Sequence, residues 1–252
     1  MRKKDRQLQL LNYLLVNSER TISQLAEVFQ VSEMTIRRDL ETMEGNGLVK
    51  RTRLGVRANN PKYSEKSLED RRRSQLKEKH QIAKRAAKEV KNGDVIMIDA
   101  GTTTQTLAEY LVNKKDLVVI TNDLIIYDLL KDNPMIEIFL AGGFIHPEYN
   151  YSTLGSYTQS FYQNFKADKS FLSMLSVDLE MGLFHSNLDV AQTKRAMIEA
   201  TKQNYLLVDH SKFDAEAMFK VANIEAVQTI ITDQGFDASC YEIPSSVHLV
   251  QV

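Results

Sequence analysis

A single cysteine, Cys240, in 252 residues leaves this chain unable to close an internal disulfide or build a multi-cysteine metal site. Cys240 itself reads as a bystander, since a reactive thiol needs an electropositive setting. No stretch approaches the roughly 18 apolar residues of a membrane-spanning helix. The basic, leucine-rich start is broken by Gln9, Asn12 and Tyr13, and no small-residue cleavage site follows, so it does not read as a signal peptide. A reduced, cytoplasmic protein is expected. There is no Walker-type glycine–lysine pattern and no Rossmann glycine triplet. The histidines, His146, His185 and His210 among them, lack metal-ligand spacing and read as surface or pocket-polar groups. Neither cofactor nor metal is expected.

Net charge is also nearly absent, at −1, but it is unevenly spread. Residues 1–60 hold 11 Lys and Arg against 7 Asp and Glu, whereas the remainder holds 21 against 26. A mildly basic first segment on an acidic body suits a nucleic-acid reader joined to a domain with another partner.

That first segment carries successive helical patterns. Leu8, Leu11 and Leu15 share one face, with Leu10 and Leu14 beside it. Thr21 followed by Gln24 forms a capping box, in which hydroxyl and amide each satisfy an orphan backbone N–H; Ile22, Leu25, Ala26 and Phe29 then line a face. Ser32 caps the next helix, whose Ile36, Leu40 and Met43 turn inward and which Gly45 or Gly47 stops. The turn between these two helices is only Gln30-Val31, which forces a steep crossing, as in a helix-turn-helix. In that motif the second helix enters the major groove through its first turns. With Ile36 and Leu40 facing the core, Glu33, Met34, Thr35, Arg37 and Arg38 are left outward. Arginine can pair with guanine through two hydrogen bonds, and threonine offers a hydroxyl and a methyl. The stretch 48–57 alternates around Gly55 and reads as a small hairpin whose basic residues, including Lys50, Arg51 and Arg53, would follow the phosphate backbone. Thr21, Ser32 and the residues just named are the candidate DNA contacts.

The stretch from Ile22 to Glu41, above all VSEMTIRRDL at Val31–Leu40, resembles the DNA-binding signature of the DeoR family of bacterial transcriptional regulators. That family usually has two adjacent glycines at the wing tip, where this chain has Leu54-Gly55.

The expected organisation is α/β: a winged helix-turn-helix over 1–58, a linker over 59–75 and a mostly parallel α/β domain over 76–252. The linker reading rests on turn formers from Asn59 to Glu65; Arg71, Arg72 and Arg73 read as a solvated or interdomain face, with added DNA contacts as the alternative. From Leu76 a helical stripe of Ile82, Ala83, Ala86 and Val90 runs to Gly93. Short apolar runs then alternate with helical stretches: Val95–Asp99, Leu117–Thr121, Ile136–Ala141, Ser170–Met174, Tyr205–Val208, Val227–Thr232 and Val247–Val250. Such alternation predicts a parallel sheet covered on both faces, with ligands at the strands' carboxyl ends. Polar residues gather there: Asp99 with Gly101, Thr102, Thr103 and Thr104, then Thr121-Asn122, Gly142-Gly143, and Asp209 to Lys212. Singly these are ordinary caps and turns. Together on one sheet edge they favour a pocket, and a glycine leading into a helix start is a plausible phosphate cradle.

The segments DAGTTT at Asp99–Thr104, VVITND at Val118–Asp123, LAGG at Leu140–Gly143 and LLVDHSKF at Leu206–Phe213 also resemble the DeoR family, in its sensing part. The resemblance implies a domain similar to ribose-5-phosphate isomerase that binds phosphorylated sugars or related metabolites. It makes Gly101 to Thr104 the phosphate loop, and adds Asn122, Gly143, Lys194 and Lys212 to the pocket. In the isomerases an Asp-Gly-Ala-Asp turn moves the proton; the comparable stretch here, Leu172 to Ser176, has no aspartate. A binding site without its general base suits sensing better than turnover. The expected partners are double-stranded operator DNA, a phosphorylated sugar (a ketose or tagatose phosphate among the guesses) and further copies of the chain, as homodimer or homotetramer. Two other readings stand beside this one: a sugar-phosphate isomerase or transferase with an accessory DNA-binding segment, and a winged helix that docks protein.

Overall fold

A computed structural model describes residues 3–17, 19–45, 48–58, 67–146, 151–213 and 215–252. The chain divides into two compact units, Met1–Ser64 and Glu65–Val252.

The first unit packs α1 (Lys3–Asn17), α2 (Ile22–Phe29) and α3 (Glu33–Gly45) with a hairpin of β1 (Val49–Arg51) and β2 (Val56–Ala58). Its core is Leu10, Leu14, Leu25, Ile36, Leu40, Met43, Val49 and Val56, all buried. The face of α1 differs from the expected one. Leu10 and Leu14 point inward, Leu11 is half-buried and Leu8 is exposed; the side chain of Leu15 lies outside the described residues. The physical reason is on α3. Asp39 is buried between Ile36 and Leu40, and Arg6 of α1 meets its carboxylate, Nε to Oδ2 at 2.5 Å. That contact sets the rotation of α1. Both halves of the Thr21–Gln24 capping box are present. The turn to α3 is short because Gln30 adopts the left-handed region (φ +51) and donates its N–H back to the last turn of α2.

The hairpin is tied down from two sides. Thr52 Oγ1 accepts the amides of Leu54 and Gly55, both at 3.1 Å, and closes the turn. Arg20 and Val56 exchange both backbone hydrogen bonds, at 2.8 and 3.0 Å, so the wing is bridged to the segment entering α2. Gly55 lies beside that bridge at φ +156, and a β-carbon there would meet the Arg20 carbonyl oxygen at 2.2 Å. Gly55 is thus the wing-tip position at which the close approach to Arg20 leaves no room for a side chain.

In the second unit, α4 (Leu68–Arg73) and α5 (Leu76–Ala86) precede the sheet. Part of the expected linker is therefore helix: Ser67 caps α4 through the Asp70 amide, which a search for apolar periodicity overlooks. The sheet has seven parallel strands in the order β14-β13-β11-β8-β3-β4-β5: β3 (Val95–Ile98), β4 (Leu117–Thr121), β5 (Ile136–Leu140), β8 (Ala167–Leu172), β11 (Thr201–Leu207), β13 (Thr229–Thr232) and β14 (His248–Gln251). Between them lie α6 (Thr102–Glu109), α7 (Leu124–Leu130), the hairpin β6 (Phe144–His146) with β7 (Ser152–Leu154), α8 (Ser156–Tyr162) and α9 (Leu188–Glu199). A small antiparallel sheet of β9 (Ser176–Asp178), β10 (Gly182–His185) and β12 (Phe219–Ala222) completes the unit. Neither it nor the hairpin follows from the apolar pattern. The strand expected at Ser170–Met174 starts earlier and ends at Leu172.

Both faces of the large sheet are covered. Ile96, Ile98, Val119 and Leu207 pack under α5, α6 and α7, while Met97, Ile120, Leu206 and Val208 pack on the other side with Tyr162, Ala191 and Met197. Strand order reverses between β3 and β8, which opens the crevice where α/β sheets bind ligands.

Gly55→Ala is expected to lift the wing from Arg20 and to cost the first unit about 1–3 kcal/mol. Calorimetry of the full chain reads this as a lowered melting transition; an unchanged profile would mean that the hairpin absorbs the methyl group.

Candidate functional site

Two sites emerge, one in each unit. In the first, burial of Ile36, Asp39, Leu40 and Met43 turns the opposite face of α3 outward. Glu33, Met34, Arg37 and Arg38 are exposed. Arg37 and Glu33 form an open ion pair at 3.4 Å, one turn apart, of a kind worth little in water. Ser32 is exposed and caps α3: its Oγ accepts the Thr35 amide at 3.2 Å and lies 2.9 Å from the Thr35 hydroxyl. Thr35 is half-buried, and its methyl and the hydroxyl capacity left by Ser32 are what it can offer. Beside this face lies a cavity of about 370 Å³ between α3 and the wing, bordered by Thr21, Glu33, Arg37 and Arg53.

On the wing, Lys50 and Arg53 are exposed. Arg51 is not available in the same way. Its guanidinium lies 3.2 Å from Glu44 and 3.8 Å from Glu41, and its backbone N–H donates to Glu44. Arg51 therefore braces the wing against α3, a role its place in a basic run did not reveal.

In the second unit the reversal point is built around Asp99, just after β3. Asp99 Oδ2 accepts the Ser173 amide at 3.0 Å and the Ser173 hydroxyl at 2.9 Å, and forms an ion pair with Lys194 of α9. Lys194 Nζ also donates to the Ser173 carbonyl at 3.0 Å. Asp99 and Lys194 are both almost wholly buried. The ammonium is thus neutralised inside the protein, and it positions the carboxylate instead of facing a phosphate. Gly101 is obligatory for packing: a β-carbon there would fall 1.9 Å from Ser173 Oγ.

The threonines after Gly101 divide their work. Thr104 is fully buried, and its hydroxyl closes the loop onto the carbonyls of Asp99 and Gly101 at 2.6 and 2.8 Å. Thr103 is buried, and Thr102 is half-buried at the start of α6, where the backbone carries no side-chain cap. Asn122 is consumed by the fold. Its amide donates to Thr153 at 2.8 Å and its oxygen accepts the buried Tyr162 hydroxyl at 3.1 Å. Gly143 permits another close approach, since a β-carbon would meet Thr158 Oγ1 at 2.2 Å. Lys212 is half-buried in the turn after β11.

Sequence reasoning missed several groups that converge here. His185 is buried at the end of β10; burial first, then the charges of Lys194, Arg71 and Lys212, hold its pKa well below the usual imidazole range. Lys79 of α5 is buried, and burial lowers it to about 8, with Lys212 and Arg71 also disfavouring its charge and Asp209 supporting it. With Lys194 neutralised by Asp99, Lys79, Arg71 and Lys212 make a field suited to an anion. Asp123 caps α7 through the Ile125 and Ile126 amides and accepts Gln105 Nε2 at 2.9 Å; burial raises it to about 6, with the Asp99 charge adding to the rise. Topology brings these groups together from distant parts of the chain: Asp123 lay in the VVITND segment and His185 read only as surface or pocket-polar, while nothing local marked Lys79. Among the described residues, no group of three or more His, Cys, Asp or Glu side chains could hold a metal ion. No helix there is long and apolar enough to cross a membrane.

Residues 6–62 match the DeoR-like helix-turn-helix domain, and residues 74–234 match the DeoR C terminal sensor domain. The chain belongs to the DeoR family. It is a DNA-binding transcriptional regulator, and its relatives are regulators along nearly their whole length. An uncharacterized HTH-type transcriptional regulator of Haemophilus influenzae is 33% identical, covering 92% of this chain and 90% of that one. The glycerol-3-phosphate regulon repressor of Escherichia coli is 32% identical, with 90% and 89% covered. The HTH-type transcriptional repressor GlcR of Bacillus subtilis is 31% identical, with 93% and 90% covered. Solved structures similar to the chain include ribose 5-phosphate isomerase A from Neisseria gonorrhoeae (TM-score 0.40, 14% identity, 55% of this chain and 53% of that one). Another is the translation initiation factor eIF-2B of Pyrococcus horikoshii OT3 (TM-score 0.42, 14% identity, 63% of each chain).

Asp123 gives this DeoR-family sensor a pH signature. Its folded pKa of about 6 lies above the unfolded value of 3.8, so the folded state holds the proton more tightly. The resulting stabilisation is complete below the unfolded value and is lost as pH rises through 6. Asp123→Asn should add a constant penalty, because its amide would face the Gln105 donor, and should abolish this slope. Melting temperatures of parent and variant from pH 4 to 7 check it; parallel curves would refute the assignment.

Proposed function

We propose that this regulator represses carbohydrate-metabolism genes and that a phosphorylated sugar bound in the second unit modulates its grip on operator DNA. The observation that carries the sensor half is the convergence, at the reversal point of the sheet, of an uncapped helix start with the cation cluster around His185. The start of α6 presents backbone N–H groups and the positive end of its dipole. Lys212 and Arg71 add charge at the mouth, while the Asp99 carboxylate, fixed by Lys194 and Ser173, is read as a hydrogen-bond acceptor for a sugar hydroxyl. One relative is named for the glycerol 3-phosphate regulon, which fits this division into an anionic and a hydroxylated end.

The same geometry supports binding without turnover. The turn after β8 is Ser173-Met174-Leu175, with no carboxylate, and the nearest one, Asp99, is locked in an ion pair. A general base must be free to take a proton from its substrate. On DNA, Met34, Thr35, Arg37 and Arg38 are read as base-edge contacts, with Glu33 and Ser32 at the start of the groove helix; Thr21, Lys50 and Arg53 follow the phosphates. Helix-turn-helix proteins usually read paired half-sites, so we assign a homodimer or homotetramer acting in the cytoplasm.

Duplexes selected from a random pool by the full chain test the DNA half. Arg37→Ala should lose about 1–3 kcal/mol on the selected sequence and relax base preference. Lys50→Ala or Arg53→Ala should weaken all duplexes alike and lower the salt slope by about 1 for each phosphate no longer neutralised. Equal affinity and selectivity for Arg37→Ala would remove that residue from the readout.

For the sensor half, a thermal-shift series sets glycerol 3-phosphate, fructose 6-phosphate and tagatose 6-phosphate against their unphosphorylated forms. At 100-fold excess over Kd a bound compound stabilises by about 2.7 kcal/mol. Stabilisation by a phosphorylated compound but not its parent is expected; no response to any would sink the sugar-phosphate assignment.

A further inference from the structure

Helix α3 carries four carboxylates, Glu33, Asp39, Glu41 and Glu44, although it is the helix read as entering a groove flanked by phosphates. An acid is unfavourable there unless a cation neutralises it or a donor meets it. Asp39 is buried and meets Arg6 of α1. Glu41 and Glu44 both face Arg51 of the wing, at 3.8 and 3.2 Å. Arg6 and Arg51 hold the unit together and are spent in doing so. Glu33 differs from the other three, because its cation is Arg37, which is itself read as a base contact.

The adjacent arginines of α3 are therefore not equivalent. Arg38 is exposed and joined to no carboxylate among the described residues. Arg37 reaches Glu33 Oε2 through one terminal nitrogen at 3.4 Å, and both side chains are half exposed. That contact leaves Glu33 Oε1 and the other N–H groups of Arg37 available. Glu33 and Arg37 also border the cavity between α3 and the wing, so the pair opens outward and not into the core. An ion pair this exposed adds little stability to the fold. Its geometry instead holds an acceptor beside a donor. Side chains one helical turn apart start about 5–6 Å from each other, and stacked bases are about 3.4 Å apart, so both reach the same base pair or its neighbour. In the major groove guanine displays two acceptors, and cytosine displays the N4 amino donor.

We propose that Glu33 and Arg37 read DNA as one unit: Arg37 donates to the two guanine acceptors, and Glu33, still bonded to Arg37 through Oε2, accepts a cytosine N4–H on Oε1 in the same or the adjacent base pair. This deepens the groove-helix reading above and rests on it. Glu33 excludes as well as selects. Facing thymine O4, or the N7 and O6 of guanine, its carboxylate meets an acceptor and is left desolvated without a donor. Glu33 is thus a specificity-determining residue, and the fixed partner that makes Arg37 differ from Arg38.

The test selects duplexes from a random pool with the full chain, with Glu33→Ala and with Glu33→Gln. Glu27→Ala, which removes the same charge from the exposed side of α2, is the control. The parent should fix a cytosine within one base step of the guanine whose preference Arg37→Ala abolishes. Glu33→Ala should keep the guanine and lose roughly 5- to 150-fold of discrimination at the cytosine position alone. In Glu33→Gln, whose amide also donates, adenine should replace cytosine. Glu27→Ala should keep every parental preference. Parental base preferences in Glu33→Ala, or a loss spread evenly over all positions as from a weakened helix start, would overturn the role of Glu33 and leave the groove helix standing. No enriched sequence with the parent chain would overturn both.

Discussion

The sensor unit is organised by one buried ion pair, Asp99 with Lys194. Desolvating two charges costs several kcal/mol per ion, so such a pair survives only with near-complete hydrogen bonding. Ser173 supplies it: amide and hydroxyl go to the carboxylate and the carbonyl goes to the ammonium. The pair thereby joins the ends of β3 and β8 to α9, across the point where strand order reverses. Gly101 must lack a side chain because Ser173 Oγ occupies the space. Thr104 then closes the loop, and α6 starts in a fixed direction. Removing one partner would leave the other charge buried alone, a far larger penalty than the pair's net contribution.

This arrangement also decides how ligand charge can be met. With Lys194 neutralised by Asp99, a bound anion must rely on backbone N–H groups and on cations nearer the mouth. Lys212 comes from the turn after β11, and Arg71 and Lys79 from the helices that precede the sheet. These last two make the ligand site continuous with the amino-terminal edge of the unit. In the first unit Asp39 and Arg6 have the parallel role. Their ion pair fixes α1 against α3, and by burying Asp39 it commits the opposite face of α3, with Arg37 and Arg38, to solvent.

Much of the fold was legible because it follows from periodicity. The parallel strands are short apolar runs spaced by helical stretches, and their ends locate Asp99, Gly101 and Lys212 without further information. The capping box at Thr21 and the outward face of α3 follow from local chemistry alone. What was hidden has a common cause. Strands β9, β10 and β12 are three or four residues long and mix polar with apolar residues, so they show neither a period nor an apolar run. Helix α4 is six residues with consecutive arginines, and its fold depends on Ser67 and on Lys79 from the next helix, so its sequence resembles a linker. Asn122 was visible as a polar residue near a strand end and Lys194 through the family resemblance, but not their partners, Tyr162 and Asp99, which lie 40 and 95 positions away. Arg51 is indistinguishable from its neighbours in a basic run without knowing that Glu41 and Glu44 face it from the preceding helix.

The energetic scale of regulation singles out polar contacts as its carriers. Coupling between two ligand sites typically amounts to roughly 1–3 kcal/mol. The apolar cores on either face of the sheet are far too strong to be rearranged by so little, since each buried Leu or Ile alone is worth about 1.5–3 kcal/mol. Partly exposed hydrogen bonds are worth about 0.5–1.5 kcal/mol each. A helix without buried side chains, held by a few such bonds, is therefore matched in energy to what a bound metabolite can change. Within the sensor unit α4, with no buried residue, meets that condition.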